Sequence, residues 1–100
     1  MNDEVKLNLN EKGFGAFTIS ENDAISAEMV LSIENQIITV YHTEVFPQAE
    51  GRGFAKKLLS TLVEHARKHS MKIIPLCPFV HAQFNRHPAE FEDVWLKTNQ

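Results

Sequence analysis

The sequence has almost no cysteine and no long apolar run. Its single cysteine, Cys77, excludes an internal disulfide and is typical of a protein from a reducing compartment. No apolar run approaches the roughly 18 residues that a membrane span requires. The stretch from Met1 to Glu4 lacks the basic and apolar regions of a signal peptide. We therefore expect a cytoplasmic protein that does not enter a membrane.

A strong charge of either sign is also missing. Ten basic and thirteen acidic residues give a formal net charge of −3 with the histidines neutral. This balance argues against broad electrostatic binding to nucleic acid, and we expect no nucleic-acid partner. At 100 residues, with 43% hydrophobic and 23% charged side chains, the chain has the composition of one globular domain. We expect that domain to cover residues 1–100.

The first half of the chain shows the period of two that is typical of half-buried strands. Val5, Leu7 and Leu9 alternate with polar residues, and short polar turns separate the segments that follow. The predicted strands are residues 5–9, 14–19, 24–33 and 37–45. Because the connections are short, these strands should form an antiparallel meander.

The second half changes to a helical period. Apolar residues three, four or seven apart run from Phe54 to Ala66, which predicts an amphipathic helix. A short strand over residues 72–76 should follow, and then a helix from Pro78 to about His87. A short helix over about 91–96 and a frayed end complete the prediction.

The order of these elements predicts the fold class. Residues 37–76 read as strand, helix and strand, a βαβ unit whose two strands should be parallel. The expected fold is α/β in the broad sense, an α+β mixed sheet in which an antiparallel meander precedes the βαβ unit and C-terminal helices. Pro75 lacks a backbone donor, so the fifth strand should diverge from the fourth at that point.

A glycine-containing loop lies between the fourth strand and the long helix. Gly51 and Gly53 permit positive φ, and the first amides of the helix suit a pyrophosphate. Arg52, Lys56 and Lys57 add cations. The loop lacks the Gly-Lys-Ser/Thr ending of a nucleotide P-loop and the third glycine of a dinucleotide fingerprint. The same residues equally fit a turn that only starts a helix.

The loop and its surroundings resemble the coenzyme A loop of the GNAT acetyltransferase superfamily, written Gln/Arg-x-x-Gly-x-Gly/Ala between a strand and a helix. The matching stretch is Val45-x-Pro47-x-x-Glu50-Gly51-Arg52-Gly53-Phe54-Ala55. Gly53 and Ala55 match the small positions, whereas Glu50 replaces the usual Gln or Arg. A second run is similar to the minimal, YjdJ-like members of the superfamily. It is Ile73-Ile74-Pro75-Leu76-Cys77-Pro78-Phe79.

The resemblance implies a GNAT-like domain that binds coenzyme A and acetyl-CoA as co-substrate. The pyrophosphate would lie on the amides from Gly51 to Ala55, and the pantetheine arm between the diverging strands. A backbone amide of Glu44 or Val45 would polarise the thioester carbonyl. The implied coenzyme-binding residues are Glu44, Val45, Gly51, Arg52, Gly53, Phe54, Ala55, Lys56, Cys77 and Phe84.

The sequence departs from the superfamily at the usual general acid. In the pattern Asn-x-x-Ala-x-x-x-Tyr, Cys77 takes the place of the asparagine and Phe84 that of the tyrosine, and phenylalanine has no proton to give. Cys77 lies near the start of the following helix, where the positive end of the helix dipole favours a thiolate. It could accept an acetyl group, or it could be a small buried residue.

Histidine and acidic side chains supply the candidate bases. His42 and Glu44 lie two apart on the fourth strand and should share a face, and His81 and His87 follow Cys77. We therefore take Cys77, Glu44 and His42 as the candidate catalytic residues.

Histidines four apart also occur on the long helix. His65 and His69 have a metal-compatible spacing, but no third ligand is evident, so we expect no metal site.

The sequence thus predicts an N-acetyltransferase that passes acetyl from acetyl-CoA to an unidentified amine, carried by a small molecule or a protein. Direct transfer and a Cys77-acetyl intermediate stay open as mechanisms. The alternative is a non-catalytic module that binds or senses coenzyme A or its acyl forms. A packing domain without a ligand is a third possibility. We expect a monomer or a weak dimer.

Overall fold

Four strands follow one another through the first half of the chain, as the alternating pattern predicts. The computed structural model describes residues 5–97. The strands are β1 (Val5–Leu9), β2 (Phe14–Glu21), β3 (Ala24–Glu34) and β4 (Ile37–Val45). Each pairs antiparallel with the next, which confirms the meander.

The β2–β3 and β3–β4 connections are tight because their turn residues adopt left-handed backbone. Asn22 and Asp23 have φ of 52° and 67°, and Asn35 and Gln36 have φ of 54° and 65°. Two central residues with positive φ are typical of the turn whose twist matches that of the flanking strands. The β2–β3 turn therefore begins one residue later than predicted, and Glu21 belongs to β2.

The second half contains the helices and the parallel strand. A 3-10 turn (Pro47–Ala49) follows β4, and then come α1 (Phe54–Lys68), β5 (Lys72–Pro75), α2 (Pro78–Arg86) and α3 (Pro88–Phe91). β5 pairs parallel with β4 and completes a sheet of order β1-β2-β3-β4-β5. The predicted mixed α+β fold with a βαβ unit is confirmed. Within residues 5–97, no helix is long and apolar enough to cross a membrane.

The hydrophobic core lies between one face of the sheet and the helices. The buried stripe of α1 consists of Phe54, Leu58, Leu59, Leu62, Val63 and Ala66. It faces buried strand residues that alternate along the sheet, among them Phe17, Met29 and Val40. Burying each large apolar side chain contributes about 1.5–3 kcal/mol, so this face carries most of the stabilisation.

The predicted C-terminal helix over 91–96 is wrong. The short helix lies earlier, at Pro88–Phe91, because Pro88 suits the first turn of a helix. After it the chain extends along the free edge of β5. The Ile73 N–H donates to the Val94 carbonyl at 2.6 Å, and the Leu96 N–H donates to the Ile73 carbonyl at 2.8 Å. The predicted frayed end lies outside the described residues.

At Gly15 the backbone of β1 lies against the position that a Cβ would take, which gives a test of the sheet register. An alanine Cβ there would lie 1.8 Å from the Asn8 carbonyl oxygen and 2.9 Å from the Leu9 Cα. We expect Gly15→Ala to lower the free energy of unfolding by about 3 kcal/mol, because backbone must move to relieve the overlap. Urea denaturation followed by circular dichroism measures the change. Ser20→Ala, on the same strand, should stay within about 0.5 kcal/mol. Equal stability of the two variants would contradict the register.

Candidate active site

The loop before α1 adopts a backbone shape that requires glycine. Gly51 and Gly53 have φ of 83° and 79°, and Gly53 is the N-cap of α1. A Cβ at either position would meet nothing within 4 Å. The backbone conformation, rather than packing, therefore accounts for the two glycines, and the space beside their Cα atoms is open.

The start of α1 is suited to an anion. Its first turn carries no acidic residue, and Lys56 is exposed there. The first N–H groups of any helix lack an acceptor within the helix, and they lie at the positive end of its dipole. The acidic Glu50 lies before the loop and not in the first turn of α1. Its N–H donates to the Pro47 carbonyl at 3.3 Å. The residues present therefore fit a pyrophosphate group.

The Arg52 side chain is held by the end of β2. Its Nη1 donates to Glu21 Oε1 at 2.8 Å, and its Nη2 pairs with Glu21 Oε2. The buried Ser26 hydroxyl donates to the same Oε1 at 2.9 Å. The Arg52 guanidinium, and after it the Ser26 hydroxyl, hold the pKa of the Glu21 carboxyl below its ordinary value. The guanidinium carbon also lies 4.8 Å from the centre of the Phe54 ring.

β4 and β5 separate at Pro75, as predicted. Their pairing ends at Val40 opposite Pro75, and the Cys77 N–H donates to the Val40 carbonyl at 2.8 Å. β4 continues to Val45 with β3 on one side only. The separation therefore leaves an open strand edge beside Cys77.

A β-bulge at Tyr41 determines which amides face that edge. Leu31 pairs with Val40 and Val30 with His42, so Tyr41 is an extra residue on β4. Beyond the bulge, the Phe46 N–H donates to the Ser26 carbonyl on β3 at 2.9 Å.

Consecutive residues of a strand direct their N–H groups to opposite edges. Because the Phe46 N–H faces β3, those of Val45 and Thr43 face the open edge, and that of Glu44 faces β3. Of the two amides predicted to polarise a thioester, the register favours Val45.

Cys77 is buried where the two strands part. Only 1% of its surface is exposed, and it is the N-cap of α2. Its Sγ lies 3.3 Å from the hydroxyl oxygen of Thr43 on β4. Thr43 is opposite the buried Met29, which places the Cys77 thiol on the core side of the strand.

The two base candidates lie together on the other side of β4. His42 Nε2 is 3.5 Å from Glu44 Oε1, and the two side chains are 58% and 46% exposed. Side chains alternate between faces along a strand, so His42 and Glu44 occupy the face opposite Thr43. The structure therefore brings these two residues together but separates them from Cys77.

The other candidate residues on and beside α2 differ in how far they are exposed to solvent. Phe84 is fully buried and stacks on Phe91, with ring centres 4.7 Å apart, so its role toward a ligand stays a prediction. His81 is exposed and accepts a hydrogen bond from the Asn85 amide, 3.3 Å away, at its Nδ1. It lines a groove of about 570 Å³ together with Leu76 and Trp95. His87 lines a separate groove between α1 and α2.

Of the two histidines at the end of α1, His65 packs against the sheet, and His69 is the exposed C-cap. The rings of His65 and His69 are 4.3 Å apart, and the edge of His65 meets Phe17 at 5.7 Å between ring centres. Burial lowers the pKa of His65, and the neighbouring charges of His69 and Lys68 lower it further. No group of three metal-binding side chains occurs among residues 5–97.

Comparison with known protein families identifies the family of the chain. A family model described as GCN5-related N-acetyltransferase matches residues 16–94. The chain belongs to this family. The match includes β3, β4, the glycine loop, α1 and the strand that leads to Cys77.

Solved structures share the fold of this GCN5-related chain. The solution structure of a GCN5-like protein from Staphylococcus aureus is 29% identical, with a TM-score of 0.68, and the match covers 100% of this chain and 95% of that one. Ribosomal-protein-alanine N-acetyltransferase from Brucella melitensis is 18% identical over 90% of this chain and 67% of its own, with a TM-score of 0.60.

The ribosomal-protein-S18-alanine N-acetyltransferase from Escherichia coli is 18% identical over 66% of this chain and 43% of its own, with a TM-score of 0.58. The likeness to these two enzymes shows the fold alone. No curated protein sequence matches the chain significantly.

Three features of this GNAT site do not appear in the sequence patterns. Thr43, the hydroxyl partner of Cys77, is one of many polar strand residues. Glu21 binds Arg52 from 31 positions away, and only the tertiary fold brings them together. The bulge at Tyr41 contains neither glycine nor proline, so no local signal marks it.

The lowered pKa of His65 predicts how stability depends on pH. The unfolded chain takes up a proton near the ordinary value of 6.5, whereas folded His65 resists it. The free energy of unfolding should therefore fall as the pH drops from 6.5 through the lowered pKa. Urea titrations at several pH values measure the slope. His65→Gln should flatten it in this window, whereas His87→Gln, at the end of α2, is the matched control. An unchanged slope in His65→Gln would contradict this origin.

Proposed function

We propose that the protein binds acetyl-CoA and transfers its acetyl group to an amine. The observation that carries this proposal is the pairing, in a GCN5-related chain, of a left-handed glycine loop at the start of α1 with the open edge of β4. The glycine loop suits a phosphate group, and the open edge of β4 suits a thioester. Residues 46–50 alone separate the end of β4 from Gly51, so a single extended ligand would reach both.

The glycine loop would hold the pyrophosphate. The N–H groups from Gly51 to Ala55 supply donors, and Lys56 supplies a cation without an acidic neighbour in the first turn. The helix dipole adds to the attraction. The pantetheine arm would then follow β4 from the loop toward Cys77.

The open edge of β4 would hold the acetyl group. The Val45 N–H would donate to the thioester oxygen, which gains negative charge as a nucleophile attacks. In direct transfer, the amine attacks the carbonyl carbon, the bond to the coenzyme sulfur breaks, and coenzyme A leaves as a thiolate that takes up a proton. His42 or Glu44 would accept the proton that the amine loses.

The Cys77 route divides the same reaction into two steps. The Cys77 thiol attacks the carbonyl carbon and gives up its proton, the bond to the coenzyme sulfur breaks, and coenzyme A leaves as a thiolate that takes up that proton. The amine then attacks the carbonyl carbon of the Cys77 thioester, the bond to the Cys77 sulfur breaks, and the proton that the amine loses restores the Cys77 thiol. Thr43 supports this route because its hydroxyl is within 3.3 Å of the sulfur and could donate a hydrogen bond to it.

The exposed face of β4 suits a cationic acceptor. Glu28 on β3 lies directly opposite Glu44, so two carboxylates share this face beside His42. Their charge would attract a protonated amine, which must lose a proton before it attacks. Primary amines on small molecules and on proteins both fit this description.

A non-catalytic coenzyme A module is the second candidate. The observation that favours it is the identity of residue 84. Larger members of the superfamily commonly carry a tyrosine acid there, whereas Phe84 is fully buried and has no proton to give. A protein without that acid could bind acetyl-CoA and release it unchanged.

Binding is tested first by reversing one charge at the loop. We expect Lys56→Glu to weaken coenzyme A binding roughly tenfold at low salt, since it places a negative charge beside the proposed phosphates. Calorimetric titration with coenzyme A measures the affinity. Lys12→Glu, in the β1–β2 turn, makes the same change in net charge and should bind like the wild type. Equal affinities of the two variants would contradict the proposed phosphate site.

Turnover is tested by intact-mass spectrometry and thiol release with acetyl-CoA, with and without a panel of primary amines. We expect acetylated amine and free coenzyme A from the wild type, because the Val45 amide and a base candidate flank the same edge. Binding without acetyl transfer across the panel would favour the non-catalytic module.

Cys77→Ala separates the two mechanisms. If the intermediate is obligatory, this variant should lose both the acetyl adduct and the transfer to amines. Transfer to amines that continues without an adduct would exclude the obligatory intermediate. Ser60→Ala, on the exposed side of α1, serves as the control for handling and folding.

A further inference from the structure

The contact between Arg52 and Glu21 joins the glycine loop to a distant part of the chain. Arg52 lies between the two left-handed glycines, and Glu21 is the last residue of β2. Both guanidinium Nη atoms engage the carboxylate, which is the two-point geometry that fixes orientation as well as distance. The ion pair therefore restrains the middle of the loop against the β2–β3 hairpin.

Such a restraint matters because glycine loops are conformationally costly to order. Gly51 and Gly53 lose more backbone freedom on folding than any other residue type would. A loop that must be ordered by its ligand binds less tightly than one that is already in place. The space that a Cβ would fill at either glycine is open to 4 Å, so the Arg52 side chain is what ties the middle of the loop to the rest of the fold.

Ser26 connects the restraint to the other end of the site. Its buried hydroxyl donates to the Glu21 carboxylate, and its carbonyl accepts the Phe46 N–H. The second of these bonds directs the Val45 N–H toward the open edge. One residue of β3 thus supports both the loop and the amide that faces the thioester.

We propose that Glu21 is a positioning residue for the phosphate loop, which it pre-organises for coenzyme A by holding Arg52 on the β2–β3 hairpin. This inference rests on the proposed function for its ligand. The opposing view is that Glu21 competes with phosphate for Arg52 and adds unfavourable negative charge. The two views predict opposite changes in affinity when the carboxylate is removed.

The experiment compares Glu21→Gln with Asp23→Asn. Both variants replace a carboxylate by an amide in the same hairpin, and Asn tolerates the left-handed backbone of position 23. We expect the dissociation constant for coenzyme A to rise about two- to fivefold in Glu21→Gln, the range of a partly exposed ion pair. In Asp23→Asn it should stay constant or fall. Affinity in Glu21→Gln that equals or exceeds that of Asp23→Asn would overturn the proposal.

Arg52→Lys provides the second arm, because lysine keeps the charge but loses the two-point contact. We expect it to weaken binding as much as Glu21→Gln does, and the double variant to lose no more than either single variant. Wild-type affinity in Arg52→Lys would show that charge alone suffices and would overturn the restraint.

Backbone ¹⁵N order parameters at Gly51 and Gly53 without coenzyme A give a readout that does not depend on the ligand. The order parameters should fall in Glu21→Gln and stay unchanged in Asp23→Asn. Unchanged order parameters in Glu21→Gln would overturn the positioning role. Absence of coenzyme A binding by the wild type would instead refute the proposed function, and the order parameters would still decide whether Glu21 orders the loop.

Discussion

The candidate site depends on the separation of β4 from β5 at Pro75. Proline has no N–H, so it cannot continue the ladder of hydrogen bonds that joins the two strands. Within residues 5–97, the last backbone hydrogen bond along this edge runs from the Cys77 N–H to the Val40 carbonyl, after which the chain turns into α2. One missing donor therefore exposes the end of β4 and, at the same point, sets a thiol beside it.

The bulge at Tyr41 determines what the exposed edge presents. In a regular strand, the residues two, four and six positions after Val40 would share its orientation. The extra residue reverses this order, so that the amides of Thr43 and Val45 face the open edge. The same reversal places the Thr43 side chain beside Cys77 on the core side and moves His42 and Glu44 to the outer face. A single insertion thus sorts the polar groups of β4 between two faces.

The sequence predicts those parts of the structure that depend on local pattern and chemistry. Alternation locates the four antiparallel strands, the helical stripe locates α1, and the missing donor of Pro75 locates the divergence of the strands. The C-terminal segment is mispredicted because pairing with Ile73, 21 or more positions away, overrides its weak helical pattern. The bond between Glu21 and Arg52 and the bulge at Tyr41 are equally invisible, since each results from how strands meet rather than from the residues at one place. Long-range pairing therefore decides the details of the site that local signals leave open.

The two mechanisms considered for this GNAT chain use different faces of one strand. The Cys77 thiol and Thr43 lie on the core side of β4, whereas His42, Glu44 and Glu28 lie on the outer side. The Val45 N–H lies at the edge between them, so a thioester bound there would be accessible from either side. The Cys77 thiol is held on the core side by the fold itself. An amine that arrives from solvent would meet the carboxylates of the outer face first. In the proposed function, acyl capture would therefore take place on the core side and amine deprotonation on the outer side, and the direct route would need only the second of these.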